Sequence, residues 1–259
     1  MAAIHTAERH SANLATDNVL HQRHMVAYNT SAQLISGAVL EVGAGEGYGL
    51  QYLVPKSQKY MAVDKFNTEI PEDLQHNPKF RFRQMNVPPF HGLADNSFDY
   101  VVSFQVIEHI EDDEFLVREM YRVLKPGGKL IVTTPNIKMS LTRNPWHVRE
   151  YTAEGLQALM HKVFTKVEMQ GVFGNEKVMA YYEANKLSVR KITRFDIFNF
   201  QYRLPRRVLQ IPYDILNRVN RRLLHKKNTA VSSGVCAKDY YLAPANDQCF
   251  DLFVIAEKI

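Results

Sequence analysis

The run Val39-Leu40-Glu41-Val42-Gly43-Ala44-Gly45-Glu46-Gly47 joins an apolar strand pattern to a turn with three alternating glycines, and it carries an acid just before them. Glycine is required where backbone must approach a ligand closely or adopt positive φ. With a helix behind it, such a turn offers exposed amides to a carboxylate or another polar group. Taken alone it fits a dinucleotide, a phosphate or no ligand at all. Two acids narrow the choice. Glu41 lies inside the strand, placed to receive an amino group directly or through water. Asp64 ends Met61-Ala62-Val63-Asp64, where a carboxylate can accept hydrogen bonds from both hydroxyls of a ribose.

A second group of reactive side chains lies beyond Thr134-Pro135-Asn136, in Asn144-Pro145-Trp146-His147-Val148-Arg149-Glu150-Tyr151-Thr152. This segment leaves an apolar strand at its C-terminal end, the end at which open α/β sheets bind ligands. Neutral imidazole titrates near working pH, so His147 is a candidate general base toward an acceptor hydroxyl. Trp146 and Arg149, with Tyr48 beside the glycine turn, are candidate acceptor contacts. A structural alternative stays open: Trp146 anchors the loop, His147 bonds locally, and Arg149 and Glu150 are charges at the start of a helix.

The elements that position these residues are legible as an alternation. Apolar runs at Ala38–Val42, Tyr60–Val63, Phe80–Phe82, Phe98–Phe104, Lys129–Thr134, Val167–Val172 and Phe250–Ile255 read as strands. Continuous runs such as Tyr100-Val101-Val102 fit strands buried on both faces of a parallel sheet. Between them, Glu111–Lys125 has Phe115, Leu116, Met120, Val123 and Leu124 at helical spacing and ends at Pro126-Gly127-Gly128. Thr152 is the expected N-cap of a helix through Leu156, Leu159, Met160 and Val163. Residues 1–36 are expected to form a helical cover, residues 37–183 and 248–259 the core, and residues 184–247 an insertion. Within the insertion a helix is expected from Pro212 to Leu224, with Ile215, Leu216, Val219, Leu223 and Leu224 as its stripe.

From Val39 to Phe173 the ordered motifs resemble class I S-adenosylmethionine-dependent methyltransferases of the group that includes quinone-biosynthesis enzymes. The resemblance implies a three-layer Rossmann-like α/β fold with a seven-stranded, mostly parallel sheet whose last strand is antiparallel. S-adenosylmethionine would be the cofactor and S-adenosylhomocysteine the product. Gly43, Ala44 and Gly45 would approach the methionine part, Gly47 would complete the cofactor turn, Glu41 would receive the cofactor's amino group, Asp64 would hold the ribose, and Lys65 or Phe66 would lie against the adenine. Asn86-Val87 stands where the family commonly has an acid and a small residue at the adenine amino group. Phe104 and Gln105 would face the sulfonium. His109, in Val106-Ile107-Glu108-His109-Ile110, falls near the active-site floor of similar enzymes; satisfaction in the core by a carbonyl is the other reading. The loop around His147 resembles one in methyltransferases associated with cell-envelope glycans. An Asn/Asp-Pro-Pro-aromatic run typical of certain amino-group methylators is replaced by Ser103-Phe104-Gln105-Val106, which tilts the acceptor toward oxygen or carbon. A nicotinamide dehydrogenase would share the turn and Asp64 but not Pro126-Gly127-Gly128. A cofactor-binding scaffold without catalysis is the alternative from another class.

The 259 residues, 46% hydrophobic and 23% charged, describe an ordinary folded chain with a net charge of +5. That charge is uneven. Lys186–Lys227 holds 12 Lys and Arg against two acids, Asp196 and Asp214. Aromatics such as Phe195, Phe198, Phe200, Tyr202 and Tyr213 are interleaved with the cations. Four readings stand: a cap for an acidic or phosphate-bearing small-molecule acceptor, an anionic membrane surface along 190–227, RNA, or a solvated basic face. RNA ranks last because no RNA-binding motif accompanies the segment. No apolar run approaches a membrane span and the N-terminus carries no apolar leader core, so a cytoplasmic location is expected, with attachment at the inner face of a membrane as an extension. Cys236 and Cys249 match no metal spacing and are expected to be reduced thiols. The oligomeric state and the acceptor are not legible.

Overall fold

The structure, a computed structural model, describes residues 14–227 and 229–259. In chain order the elements are α1 (Asn18–Leu34), β1 (Ala38–Val42), α2 (Leu50–Leu53), β2 (Lys59–Asp64), α3 (Glu72–Gln75), β3 (Phe80–Gln84), β4 (Phe98–Phe104), α4 (Asp113–Val123), β5 (Leu124–Pro135), α5 (Ala153–His161), β6 (Lys166–Gly174), α6 (Glu176–Thr193), α7 (Phe200–Arg203), α8 (Arg206–Lys227), α9 (Thr229–Gly234), β7 (Tyr240–Pro244) and β8 (Asp251–Glu257). The first 13 residues of the expected N-terminal cover lie outside the described residues.

The strands form one sheet in the order β3-β2-β1-β4-β5-β8-β6-β7. β1 to β5 pair in parallel, whereas β8 runs antiparallel to both β5 and β6. Eight strands replace the expected seven. The additional strand, β7, pairs antiparallel with β6 at the sheet edge and lies inside the stretch expected to be an insertion. Its sequence Tyr-Tyr-Leu-Ala-Pro ends in a proline, which suits an edge position.

Central strands are buried on both faces, as the continuous apolar runs require. Leu40, Val42, Val101, Leu130 and Val132 meet Leu116, Met120 and Leu156 of α4 and α5 on one side. Val39, Val102, Ile131 and Phe253 meet Tyr28 of α1 and Leu50 and Leu53 of α2 on the other. The result is three layers. Asp112 caps α4 by accepting from the Phe115 amide at 3.0 Å, and Thr152 caps α5 by accepting from the Gly155 amide at 3.1 Å. Phe115 itself is 40% exposed, outside the buried stripe expected to include it. β5 begins at Leu124, so Pro126-Gly127-Gly128 lies within the strand instead of before it. α8 likewise starts six residues ahead of the expected Pro212 and contains that proline. Both cysteines are free thiols, Cys236 exposed and Cys249 buried. Among the described residues no helix is long and apolar enough to cross a membrane.

Candidate active site

Parallel pairing brings the C-terminal ends of β1, β2 and β4 together, and the glycine turn lies across them. Gly43, Gly45 and Gly47 take φ of +86°, +58° and +78°. A Cβ on Gly43 would stand 2.2 Å from Val106 Cγ2, and one on Gly47 2.6 Å from the Glu69 carbonyl. At Gly45 a Cβ would meet nothing within 4 Å, so there the bare backbone faces open space. Asp64 reaches back to the turn: its Oδ2 accepts from the Gly45 amide at 2.9 Å and its Oδ1 from the Phe66 amide at 2.8 Å. Thr68 Oγ1, beside Gly47, is buried with no hydrogen-bond partner among the described residues.

Glu41 is 1% exposed, and both its oxygens are engaged. Tyr28 donates to Oε1 at 3.0 Å and Tyr60 to Oε2 at 2.8 Å. Burial pushes its carboxyl up to about 7, against the two phenol hydrogen bonds and with the added repulsion of Asp64. The carboxyl expected to meet a ligand amino group therefore joins α1 to β2 beneath the turn. Beyond Asp64, Phe66 is 49% exposed with the Lys65 ammonium 5.0 Å from its ring. The Met85 amide donates to the Asp64 carbonyl at 2.8 Å, which sets exposed Asn86 and half-buried Val87 at the same strand ends.

Phe104 ends β4 edge-on to Tyr28, ring centroids 4.8 Å apart. Gln105 follows with φ +58°, a left-handed conformation uncommon outside glycine. Its amide donates to the Thr133 carbonyl at 2.9 Å, and its side chain bonds Thr133 and buried Asp251. Gln105 opens onto a cavity of about 290 Å³ whose wall also includes Glu108, His109, Asn144, His147 and Glu150. The far side is formed by α1 (Arg23, His24), α6 (Tyr181, Tyr182, Asn185) and α8 (Tyr213, Asn217, Asn220, Arg221).

The two histidines meet edge to face, 4.9 Å between ring centroids. His109 Nδ1 lies 3.1 Å from the Trp146 carbonyl, which can only accept. In the neutral ring the proton is therefore on Nδ1 and the lone pair on Nε2. His147 is fixed in the same sense. Nδ1 donates to Glu150 Oε1 at 2.7 Å, while Nε2 accepts from Asn144 Nδ2 at 2.9 Å. Glu108 is 1% exposed and accepts from Thr134 Oγ1 at 2.9 Å; burial raises its carboxyl, and both histidines oppose that rise. Glu108, His109 and His147 each offer a ligand atom within 4.8 Å of the others, a spacing that a divalent ion can bridge.

The remaining expected acceptor contacts have other partners. Trp146 Nε1 donates to Asp214 of α8 at 3.0 Å. Arg149 pairs with Asp113 and donates to the Glu111 carbonyl, holding the loop to the start of α4. Tyr48 packs edge-on against His21 and Tyr28 of α1, over the glycine turn. Sequence reasoning missed Glu150 and Asn144 as partners of His147. Both stand three residues from His147, a local spacing that signals the pairs. It also missed the ion pair of Arg23 with buried Asp251, 3.0 Å apart, which joins α1 to β8.

Similarity to known proteins bears directly on this arrangement. A family described as "Methyltransferase domain" matches residues 40–132. A Mycolicibacterium smegmatis protein named "Probable S-adenosylmethionine-dependent methyltransferase" is 38% identical over 175 residues, covering 65% of this chain and 68% of that one. The chain belongs to the S-adenosylmethionine-dependent methyltransferases. A Mycobacterium tuberculosis protein of the same description is likewise 38% identical, and there the chain spans 64% of its length. Among solved structures, a methyltransferase of Thermotoga maritima described as a "possible histamine N-methyltransferase" gives a TM-score of 0.55 at 17% identity, covering 94% of this chain and 92% of that one. At that identity the likeness concerns the fold.

The residues present fit S-adenosylmethionine, the cofactor of this methyltransferase. The open space over Gly45, the carboxylate of Asp64 and the orphaned Thr68 hydroxyl supply close backbone approach and polar partners for an amino-acid and ribose ligand. Phe66 offers an exposed aromatic face at the same strand end for a purine.

Proposed function

We propose that the chain methylates a hydroxyl oxygen of a polar, envelope-related acceptor, a sugar or lipid-linked sugar, held in the cavity between α1, α6 and α8. The observation that carries this reading is the Glu150–His147 pair at 2.7 Å, 8% exposed at His147, on the wall that also contains Gln105. When bound, the cofactor supplies an electrophilic methyl group on a sulfonium. The chain's own task is to align the acceptor, exclude water and remove a proton.

Glu150 fixes the proton on His147 Nδ1 and supports the positive charge that the ring gains. Nε2 is the candidate base; its lone pair accepts from Asn144 Nδ2 in this structure, so an acceptor hydroxyl takes the place of that amide before it gives up its proton. His109, its ring centroid 4.9 Å from that of His147, puts a second imidazole on the same wall. Asn185, Asn217 and Asn220, with Tyr181, Tyr182 and Tyr213, give the opposite wall amide and phenol groups suited to an acceptor rich in hydroxyls.

A second reading rests on the 4.8 Å grouping of Glu108, His109 and His147: a divalent cation held there would orient the acceptor oxygen. Turnover on candidate hydroxylated acceptors, with and without a chelator, separates the two. Under the base reading a chelator leaves the rate unchanged and His147→Ala abolishes most of it. Full turnover in His147→Ala with normal cofactor binding sinks both.

A further inference from the structure

The outer face of α8 is built against the usual sense of a surface helix. Its polar residues Tyr213, Asn217 and Asn220 line the cavity, while Ile211, Ile215, Val219 and Leu223 point outward with 71%, 58%, 46% and 48% exposure. These four recur at four-residue steps and so share one side of the helix. A contiguous outward apolar stripe leaves transfer free energy unrealised and marks a surface that meets something. Arg207, Arg218 and Arg222 are exposed along one flank of it.

The segment's two acids lie away from the outer stripe of α8. Asp214 is turned inward onto Trp146, and Asp196 accepts from the Phe200 and Gln201 amides. The loop before α7 also exposes Phe195 and Ile197, by 72% and 78%, and the Arg194 guanidinium lies 4.7 Å from the Phe195 ring.

We infer that this face docks on an anionic lipid surface, with α8 lying in the headgroup plane. Charge selects the occupant. A second copy of the chain would bring the same arginines face to face. Anionic lipid offers phosphates to the arginines and an acyl boundary to the stripe. Docked in this way, α8 has lipid on one side and the acceptor cavity on the other. The inference does not depend on which atom is methylated.

The test is flotation of the full chain with phosphatidylcholine vesicles, with and without phosphatidylglycerol, at low and high salt. Binding is expected only with phosphatidylglycerol and should fall on the order of tenfold or more at high salt. The Ile215→Ser/Val219→Ser pair and the Arg218→Glu/Arg222→Glu pair should each weaken it by about tenfold or more, with S-adenosylhomocysteine binding unchanged as the control for folding. The inference is overturned by absence of flotation, by flotation that neither pair alters, or by a dimer that the serine pair dissolves. Salt-sensitive RNA binding without vesicle binding would overturn it as well.

Discussion

His147 owes its proposed chemistry to neighbours, since an imidazole with both nitrogens engaged has a defined tautomer. His147→Ala is expected to lower kcat by about 100-fold or more while leaving S-adenosylhomocysteine affinity unchanged, as measured by turnover and calorimetry. Glu150→Gln should cost less, on the order of tenfold, and should move the acid limb of the pH–rate profile, because Glu150 acts through the ring and not on the acceptor. Glu41 allows a separate test. Its folded value near 7 lies above the ordinary 4.5, so its stabilising contribution is complete below pH 4.5, declines as pH rises, and is lost above 7. That decline amounts to roughly 3 kcal/mol. Glu41→Gln should flatten it, so that urea midpoints at pH 5 and pH 8 move closer together; an unchanged gap would refute the assignment. The sequence made Glu41, Asp64 and His147 visible as chemistry-bearing residues in context. It did not make Tyr28 or Tyr60 visible as partners of Glu41, because those pairings are set by tertiary packing and have no spacing of their own; Asn144, three residues from His147, is a local partner whose role depends on the loop conformation.

At the level of elements, the glycine turn separates a packing role from a ligand role. Gly43→Ala combines positive φ with a collision against Val106 and should destabilise by about 2–3 kcal/mol or more. Gly45→Ala has the strain without the collision. It should cost only about 1 kcal/mol in denaturant melts, yet lower cofactor affinity by more than tenfold as its methyl enters the ligand's approach. If both variants lose stability and affinity in the same proportion, the distinction fails. The strands were legible because burial on both faces writes continuous apolar runs, and Thr152 was legible as a cap because its side-chain chemistry is local. β7 was not: it is short, lies at an edge and sits in a stretch marked by its charge. For α8 the apolar stripe was readable but its direction was not. Periodicity locates a face without saying whether core or solvent meets it, and here a polar cavity takes the inward side.

Across the whole molecule, the final residues close what the first strands begin. Lys258, 9% exposed, donates its ammonium to Asn96 Oδ1 at 2.9 Å, the Tyr121 carbonyl at 2.8 Å and the Leu124 carbonyl at 2.7 Å, at the C-terminal end of α4. Lys258→Ala should lower unfolding free energy by about 2 kcal/mol in chemical denaturation, since it removes a charge-assisted partner from several buried carbonyls. Lys258→Met, which keeps the stem over Tyr121, should recover part of that loss. β8 sits between β5 and β6 although it follows both of them, and β7, along the chain. During synthesis, then, β5 and β6 each wait with one unpaired edge until residues 251–257 leave the ribosome. From the completion of β6 at residue 174 until β8 emerges, the nascent chain carries two open templates for wrong pairing, and a chaperone that shields strand edges would be needed most over that interval.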